Sequence, residues 1–428
     1  MAAPEGRFKK QRAKMPNSRI RYSKEDFGYL AAFADGHIGL YRASAGALLQ
    51  TGSAAREDFE EHRLKQLPVG ANFHLRAPLI VWFEVTRRCN LTCTHCYIDA
   101  GRPREGELST NEARAALEDM KRLGVFSLVL AGGEPYLRKD FPELLAYAAN
   151  ELDLITAVVT NGSYLTPQIL ERVPRRNCRI TLSVDGIEAH NKIRGGHSTF
   201  ELMKEKLQLM KEFEIPCSIS SVISKANIHE LEALLRWCIS EDIIFRTVTF
   251  NPLGRGLLHL STHSMDKEYA AASANVFMMQ KRFEAEKDKL TGLCVSKFFN
   301  YALNLMYMTR REHCSRSIAY LAANGDVYPC VSSAATSTFA AGNIRASSFS
   351  DIWEHSFRDM RAITWDHFIK ETCHKCEFNS GNYFCANRCP VMSLVLNGTL
   401  LGCGASEFDK EDLRLRTDRL RSELGYVY

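Results

Sequence analysis

Residues 89–96 read Cys-Asn-Leu-Thr-Cys-Thr-His-Cys, which places three thiols, Cys89, Cys93 and Cys96, within eight positions. They follow directly on the apolar run Leu79–Val85. Cysteine thiolates are the ligands of iron–sulfur clusters, and a cubane cluster ordinarily takes four of them. Three would leave one iron open, and an open iron can be chelated by the amino and carboxylate groups of an amino-acid-like cofactor. The competing reading is a structural zinc site. Such sites want four ligands, usually as two close pairs, and no fourth ligand lies nearby in the chain.

The chain has fourteen cysteines, and their distribution extends the argument. Seven more fall late: Cys314, Cys330, Cys373, Cys376, Cys385, Cys389 and Cys403. Cys178, Cys217, Cys238 and Cys294 stand alone, and the first three sit in apolar surroundings expected of small buried hydrophobes. The first residues, Met-Ala-Ala-Pro-Glu-Gly-Arg, contain no apolar core of a secretory signal. A cytoplasmic location is therefore expected, where clustered thiols are ligands or catalytic groups rather than disulfides. Seven late cysteines make one complete tetrahedral zinc site and one incomplete one, a poor fit to zinc.

These thiols must be carried by regular elements, and from Leu79 to Phe250 the chain repeats one unit. Short β-rich runs (Leu79–Val85, Phe126–Leu130, Leu154–Val159, Arg179–Val184, Cys217–Ile223, Phe245–Phe250) alternate with helical stretches. Those stretches are Thr110–Leu123, Phe141–Glu151, Phe200–Phe213 and Ile228–Ser240. Six strands alternating with helices predict βα units and a parallel sheet, open or barrel-like. Ligands of such folds bind beyond the carboxyl ends of the strands, where the Cys89–Cys96 segment falls. The next strand ends carry Gly132-Gly133-Glu134-Pro135, Thr160-Asn161-Gly162 and Ser183-Val184-Asp185-Gly186. Paired glycines permit close backbone approach, and a carboxylate can accept from an ammonium. Ser183 and Asp185 have the chemistry to meet ribose hydroxyls. Turn formation alone also accounts for these residues.

The C-x3-C-x2-C spacing resembles that of the radical S-adenosylmethionine (SAM) superfamily, whose enzymes bind SAM at the open iron. The resemblance implies an α/β fold, a partial (β/α)6 barrel, over residues 76–300. It gives Gly132, Gly133 and Glu134 to the methionyl amine, and Asn161, Ser183 and Asp185 to the rest of SAM. His95 takes the position of an aromatic residue near adenine, and Arg194 that of a loop arginine able to pair bidentately with the SAM carboxylate. The late cysteines resemble the SPASM extension, expected over 301–405. Carried over by position, Cys314, Cys330 and Cys389 hold an inner auxiliary 4Fe-4S cluster, and Cys373, Cys376, Cys385 and Cys403 an outer one. That makes three 4Fe-4S clusters in all. One interval departs: eight residues separate Cys376 from Cys385 where relatives commonly have five. The inner set lacks a fourth thiol just upstream; Cys294 is the nearest candidate, with an open iron or a non-cysteine ligand as alternatives.

Residues 1–75 begin with a basic segment containing Arg7, Lys9, Lys10, Arg12 and Lys14. Strand-like stretches Tyr29–Phe33 and Ile38–Tyr41 and a helical Ala43–Gln50 follow. They resemble the start of the small winged-helix module that binds leader peptides, although a plain cap on the barrel fits as well. A helical tail is expected over 406–428. The composition, 45% hydrophobic and 25% charged with net charge +5, is that of a globular chain. It predicts neither a membrane span nor nucleic-acid binding. The resemblance implies a peptide maturase that generates a 5′-deoxyadenosyl radical and cross-links, cyclises or excises part of a ribosomally made precursor bearing a leader. Its other partner is a low-potential electron donor such as flavodoxin or ferredoxin. Val331-Ser332-Ser333 follow Cys330 where sulfatase maturases have an aspartate, so formylglycine formation is not expected. A tetrapyrrole or other small-molecule precursor is the alternative substrate, and a non-catalytic iron–sulfur carrier or scaffold the alternative class.

Overall fold

The computed structural model describes residues 20–26, 28–33, 37–51, 56–64, 73–287, 314–379, 385 and 388–424. The basic start, Cys294 and the boundary expected at residue 300 lie outside the described residues. Strands β1 (Arg21–Glu25), β2 (Gly28–Ala32) and β3 (Ile38–Tyr41) form a small antiparallel sheet. The strand-like stretches expected there are β2 and β3, and the expected helix is a short helical turn leading into Gly46–Thr51.

Each of the six apolar runs becomes a strand: β4 (Ile80–Thr86), β5 (Ser127–Gly132), β6 (Ile155–Thr160), β7 (Cys178–Ser183), β8 (Cys217–Ile223) and β9 (Ile244–Thr249). All five pairings among them are parallel and sequential. This is the order of a partial (β/α)6 barrel, as expected. The period-2 alternation of a strand explains the layers. Val81, Phe83 and Val85 of β4 enter the larger core with Leu117 and Met120 of helix Thr110–Leu123. Ile80 and Trp82 point to the other face, with Val129 and Ala157. The helix starts at a capping box, Ser109 with Glu112, which satisfies amide donors that the first turn leaves unpaired. The stretch expected as one helix over Phe141–Glu151 divides into an α-helix, Phe141–Ala146, and a π turn, Tyr147–Glu151.

Past residue 313 the chain adds to the same sheet. β10 (Ile318–Leu321) pairs parallel to β4, from Ile318 opposite Ile80 to Leu321 opposite Phe83. β11 (Asp326–Tyr328) and β12 (Gly342–Asn343) continue it antiparallel. A nine-stranded sheet thus joins the cysteine-motif strand to the late cysteines. The small N-terminal sheet lies under the amino ends of these strands. Leu30, Ala32, Ile38 and Leu40 share one core with Ile80, Phe126, Ile155 and Ile318. Arg21 pairs with Asp153 Oδ1 at 3.0 Å and also donates to its backbone carbonyl, just before β6. The carboxyl ends are left free for a site. At the C-terminus, helix Glu407–Leu424 lies on helix Ala270–Lys287: Arg416 donates to Ser273 Oγ at 2.8 Å and stacks 4.5 Å from the Phe277 ring. No helix among the described residues is long and apolar enough to cross a membrane.

Candidate active site and cysteine centres

The segment after β4 crosses the carboxyl end of the sheet and is tied down at several points. The amide of Cys89 donates to the Gly101 carbonyl at 3.0 Å, and that of Gly101 to Arg87 at 3.1 Å. Asn161 Nδ2, beyond β6, donates to Asn90 Oδ1 at 2.9 Å. The amide of Thr94 donates to Ile193 at 2.8 Å. Arg255, beyond β9, donates to the carbonyls of Cys93 at 3.0 Å and Ala100 at 2.7 Å, and pairs with Asp99 at 2.7 Å. Nothing in the sequence marked Arg255, because its partners are backbone carbonyls 155 and more residues away.

Burial pushes the Cys93 thiol up to about 11; Arg194 works against this, while Cys96, Asp185 and Cys89 add to it. A metal reverses such a shift by binding the thiolate. Cys93 is buried and Cys89 and Cys96 are half-buried, in a loop at the place such folds use for ligands. The donor set fits an iron–sulfur cluster with one open iron.

The glycines of the Gly-Gly-Glu-Pro turn meet protein rather than open space. A Cβ on Gly132, at φ 144°, would lie 2.2 Å from the Thr86 carbonyl oxygen, and one on Gly133 would lie 2.1 Å from that of Arg88. The turn therefore packs against the cysteine segment itself. Glu134, expected to offer its carboxylate to an ammonium, is fully buried and already has protein donors. Thr160 Oγ1 and the amide of Asn161 donate to it at 2.8 Å, and the amide of Tyr136 at 3.2 Å. Burial pushes this carboxyl up to about 7 against those three hydrogen bonds.

Asp185 is likewise held by protein donors. Oδ2 accepts from His95 Nε2 at 2.7 Å and pairs with Arg194 Nε at 2.7 Å, and Oδ1 accepts from the amide of Val222 at 2.8 Å. Burial opposes ionisation here, but Arg194 and His95 prevail and hold the carboxyl well below the usual range. Its oxygens thus already have protein donors. The Arg194 guanidinium, expected to face a carboxylate, also turns Nη1 toward Cys93 Sγ at 3.9 Å. His95 lies with its ring 5.8 Å from that of His263. His263 bridges Thr94 Oγ1 at 2.7 Å and Ser224 Oγ at 3.1 Å. Ser183 ends β7 nearly buried, on the face shared with Thr181.

A second polar knot lay hidden in an apolar run. Glu84, wholly buried on β4, accepts from Arg87 Nε at 3.0 Å and Nη2 at 3.2 Å, and from Tyr320 of β10 at 2.6 Å. It couples the cysteine-motif strand to the late region.

There the thiols gather in two sets. Cys314 and Cys330 are buried together with Val391, against Cys389, Phe339 and Met360. The thiol of Cys314 is shared with the Cys330 and Cys389 sulfurs, and its contact holds Cys330 down to about 7. Cys373, Cys376, Cys385 and Cys403 line one pocket with Phe368, Phe378, Arg388 and Lys410. Apolar walls exclude water, and two cations suit a group that carries thiolate charge. Ser332, beside Cys330, accepts from Asn251 Nδ2 at 2.9 Å, linking the inner set to the end of β9. Among the described residues no three or more His, Cys, Asp or Glu are arranged for a single metal ion.

The comparisons with known proteins agree with this geometry. Residues 83–238 match the radical SAM superfamily. The chain thus carries a radical SAM domain and is a radical SAM enzyme that binds SAM and iron–sulfur clusters. Residues 314–377 match the SPASM iron–sulfur cluster-binding domain, which places it in the SPASM branch. Among its relatives are an AdoMet-dependent heme synthase of Methanosarcina barkeri, 27% identical over 71% of this chain and 89% of that one. A PqqA peptide cyclase of Bradyrhizobium diazoefficiens is 25% identical over 74% and 83%. Mycofactocin maturase MftC of Mycobacterium tuberculosis is 29% identical over 67% and 73%. Of solved structures, SuiB of Streptococcus suis bound to S-adenosylmethionine shares the fold, with a TM-score of 0.67 at 16% identity over 91% of this chain and 98% of that one.

Proposed function

We propose that this enzyme modifies a ribosomally made precursor peptide by radical chemistry, using two auxiliary 4Fe-4S clusters beside the SAM-binding one. The observation that carries the reading is the double gathering of late thiols on a sheet continuous with the cysteine-motif strand. Two relatives named for peptide modification, the PqqA cyclase and MftC, support the peptide as substrate. The N-terminal sheet supplies a place for a leader, since an extended peptide can add to an exposed sheet edge. β1 is such an edge, with Tyr22 43% exposed.

When bound, SAM and its cluster supply a 5′-deoxyadenosyl radical, and cofactors carry such chemistry while the protein orients and shields. Cys89, Cys93 and Cys96 hold the cluster. The Gly132–Glu134 turn would meet the methionyl amine. Ser183, Asp185 and Asn161 would border the nucleoside, with His95 near adenine. Arg194 would pair with the SAM carboxylate. Cys314, Cys330 and Cys389 hold the inner auxiliary cluster, and Cys373, Cys376, Cys385 and Cys403 the outer one. All thirteen described cysteines are free thiols, as a reducing cytoplasm would keep them. A flavodoxin- or ferredoxin-like donor provides electrons.

The heme synthase relatives favour a second substrate class, a tetrapyrrole. The test is anaerobic turnover of reconstituted protein with SAM and a low-potential reductant, with iron, sulfide and 5′-deoxyadenosine quantified. About twelve irons per chain, falling to about eight in a Cys89→Ala/Cys93→Ala/Cys96→Ala variant, are expected. 5′-Deoxyadenosine formation should rise with a precursor peptide encoded beside the enzyme. Stimulation by an iron porphyrin precursor in its place would move the assignment to tetrapyrroles. Intact clusters without any nucleoside product would leave a carrier.

A further inference from the structure

We propose that Asp185 is a positioning residue that holds Arg194 against Cys93, and that the resulting N–H···S contact raises the reduction potential of the cluster bound by this motif. The inference rests on the reading of Cys89, Cys93 and Cys96 as cluster ligands. Arg194 ends the helix Ala189–Arg194 and is 7% exposed, so its guanidinium is fixed by what surrounds it. Nε stands 2.7 Å from Asp185 Oδ2 as a close ion pair, although its N–H is not aimed at that oxygen, and Nη1 lies 3.9 Å from Cys93 Sγ, so the carboxylate holds the guanidinium by charge and contact. A guanidinium is a rigid fork, so fixing one edge aims the other. Asp185 is itself immobile: the amide of Val222 donates to Oδ1, and Asn227 Nδ2 donates to its backbone carbonyl at 2.8 Å. Its second partner, His95, is held with Nε2 as donor, and His95 lies between Cys93 and Cys96. One buried carboxylate thus governs two side chains that border the cluster loop.

Reduction adds negative charge to a cluster and its sulfurs. A cationic donor on a ligand sulfur stabilises the reduced form more than the oxidised one, and hydrogen bonds to sulfur are among the factors that set cluster potential. Two effects of Asp185 have opposite signs, which makes the idea testable. As a bare negative charge near the cluster, Asp185 lowers the potential, so neutralising it would raise it. As the anchor of Arg194, it raises the potential, so removing it would lower it. If Asp185 were only a ribose ligand, its neutralisation would alter SAM affinity and leave the potential of the SAM-free cluster unchanged or raised.

The experiment is a redox titration of the full-length reconstituted protein, followed by electron paramagnetic resonance, with the SAM-responsive signal taken as that of this cluster. SAM affinity is measured in parallel from the same spectral change. Wild type, Asp185→Asn, Asp185→Glu, Arg194→Lys and Arg194→Gln are compared at equal iron content. The expected result is a negative shift in midpoint potential for Asp185→Asn and both Arg194 variants, with Arg194→Lys no better than Arg194→Gln, since an ammonium cannot span both partners. Asp185→Glu should recover part of the shift. An unchanged or raised potential in Asp185→Asn overturns the proposal, as does failure of every variant to load this cluster, which would make the pair a folding element only. Absence of a SAM-responsive signal in the wild type would instead overturn the cluster assignment on which the inference stands.

Discussion

A Cβ on Gly133 would meet the Arg88 carbonyl oxygen at 2.1 Å and its carbon at 2.5 Å, and both atoms belong to backbone that has no side chain to swing aside. Gly133→Ala should therefore cost about 2–3 kcal/mol and displace the cysteine segment, lowering bound iron. Gly101, with nothing within 4 Å of a Cβ, is the control: Gly101→Ala should stay within about 0.5 kcal/mol. Urea unfolding and iron content together decide this. Two buried histidines carry a pH prediction. Burial holds both His190 and His263 down to about 4, helped by Arg194 for the first and His95 for the second. Below about 6.5 the unfolded chain takes up protons that the folded one refuses. Stability is thus fully present above pH 6.5 and is lost as pH falls toward 4, on the order of 2 kcal/mol for each histidine. Unfolding midpoints of the apoprotein at pH 7.5, 6 and 5 should show that slope, and a His190→Gln/His263→Gln variant should flatten it. An equal slope in both proteins would assign it elsewhere.

At the scale of elements, the loop after β9 acts as a latch on the loop after β4. Arg255 donates to Cys93 and Ala100 and pairs with Asp99, and charged hydrogen bonds of this kind contribute roughly 1.5–3 kcal/mol each when partly buried. Arg255→Ala should lower overall stability by about 1–3 kcal/mol. Its larger effect should be local, with iron lost to a chelator several-fold faster from the SAM-responsive cluster than from the auxiliary ones. Uniform loss from all clusters would show that Arg255 supports the fold at large. The strands that carry these loops were legible because a parallel sheet buried on both faces leaves continuous apolar runs. β8 has the same limits in sequence and structure, Cys217–Ile223, and the others agree within a residue or two. β10 to β12 were not legible. They are two to four residues long, and the pairing of β10 with β4 spans more than 230 positions, too short and too distant for a periodicity to register.

For the molecule as a whole, the N-terminal sheet closes the amino end of the strands and shares their core. Leu40 is 1% exposed there, and Leu40→Ala should cost about 2–5 kcal/mol. Because that core is common to both sheets, unfolding should remain a single transition at a lower denaturant midpoint. Two separated transitions, the first with small amplitude, would mean the N-terminal sheet folds independently. The ten cysteines, the βα alternation and the strand-end turns were determined by the sequence itself. Clustered thiols have few alternative roles where the described cysteines form no disulfides, and apolar periodicity follows from backbone geometry. The partners of Glu134, Asp185 and Arg194 were decided only by tertiary structure. A carboxylate reads the same in sequence whether it faces a ligand or another side chain, and packing brought buried donors to both. Tertiary structure likewise joined Glu84 to Tyr320 and gathered Cys403 with Cys373, because contacts across such separations depend on where the sheet and its loops meet in space.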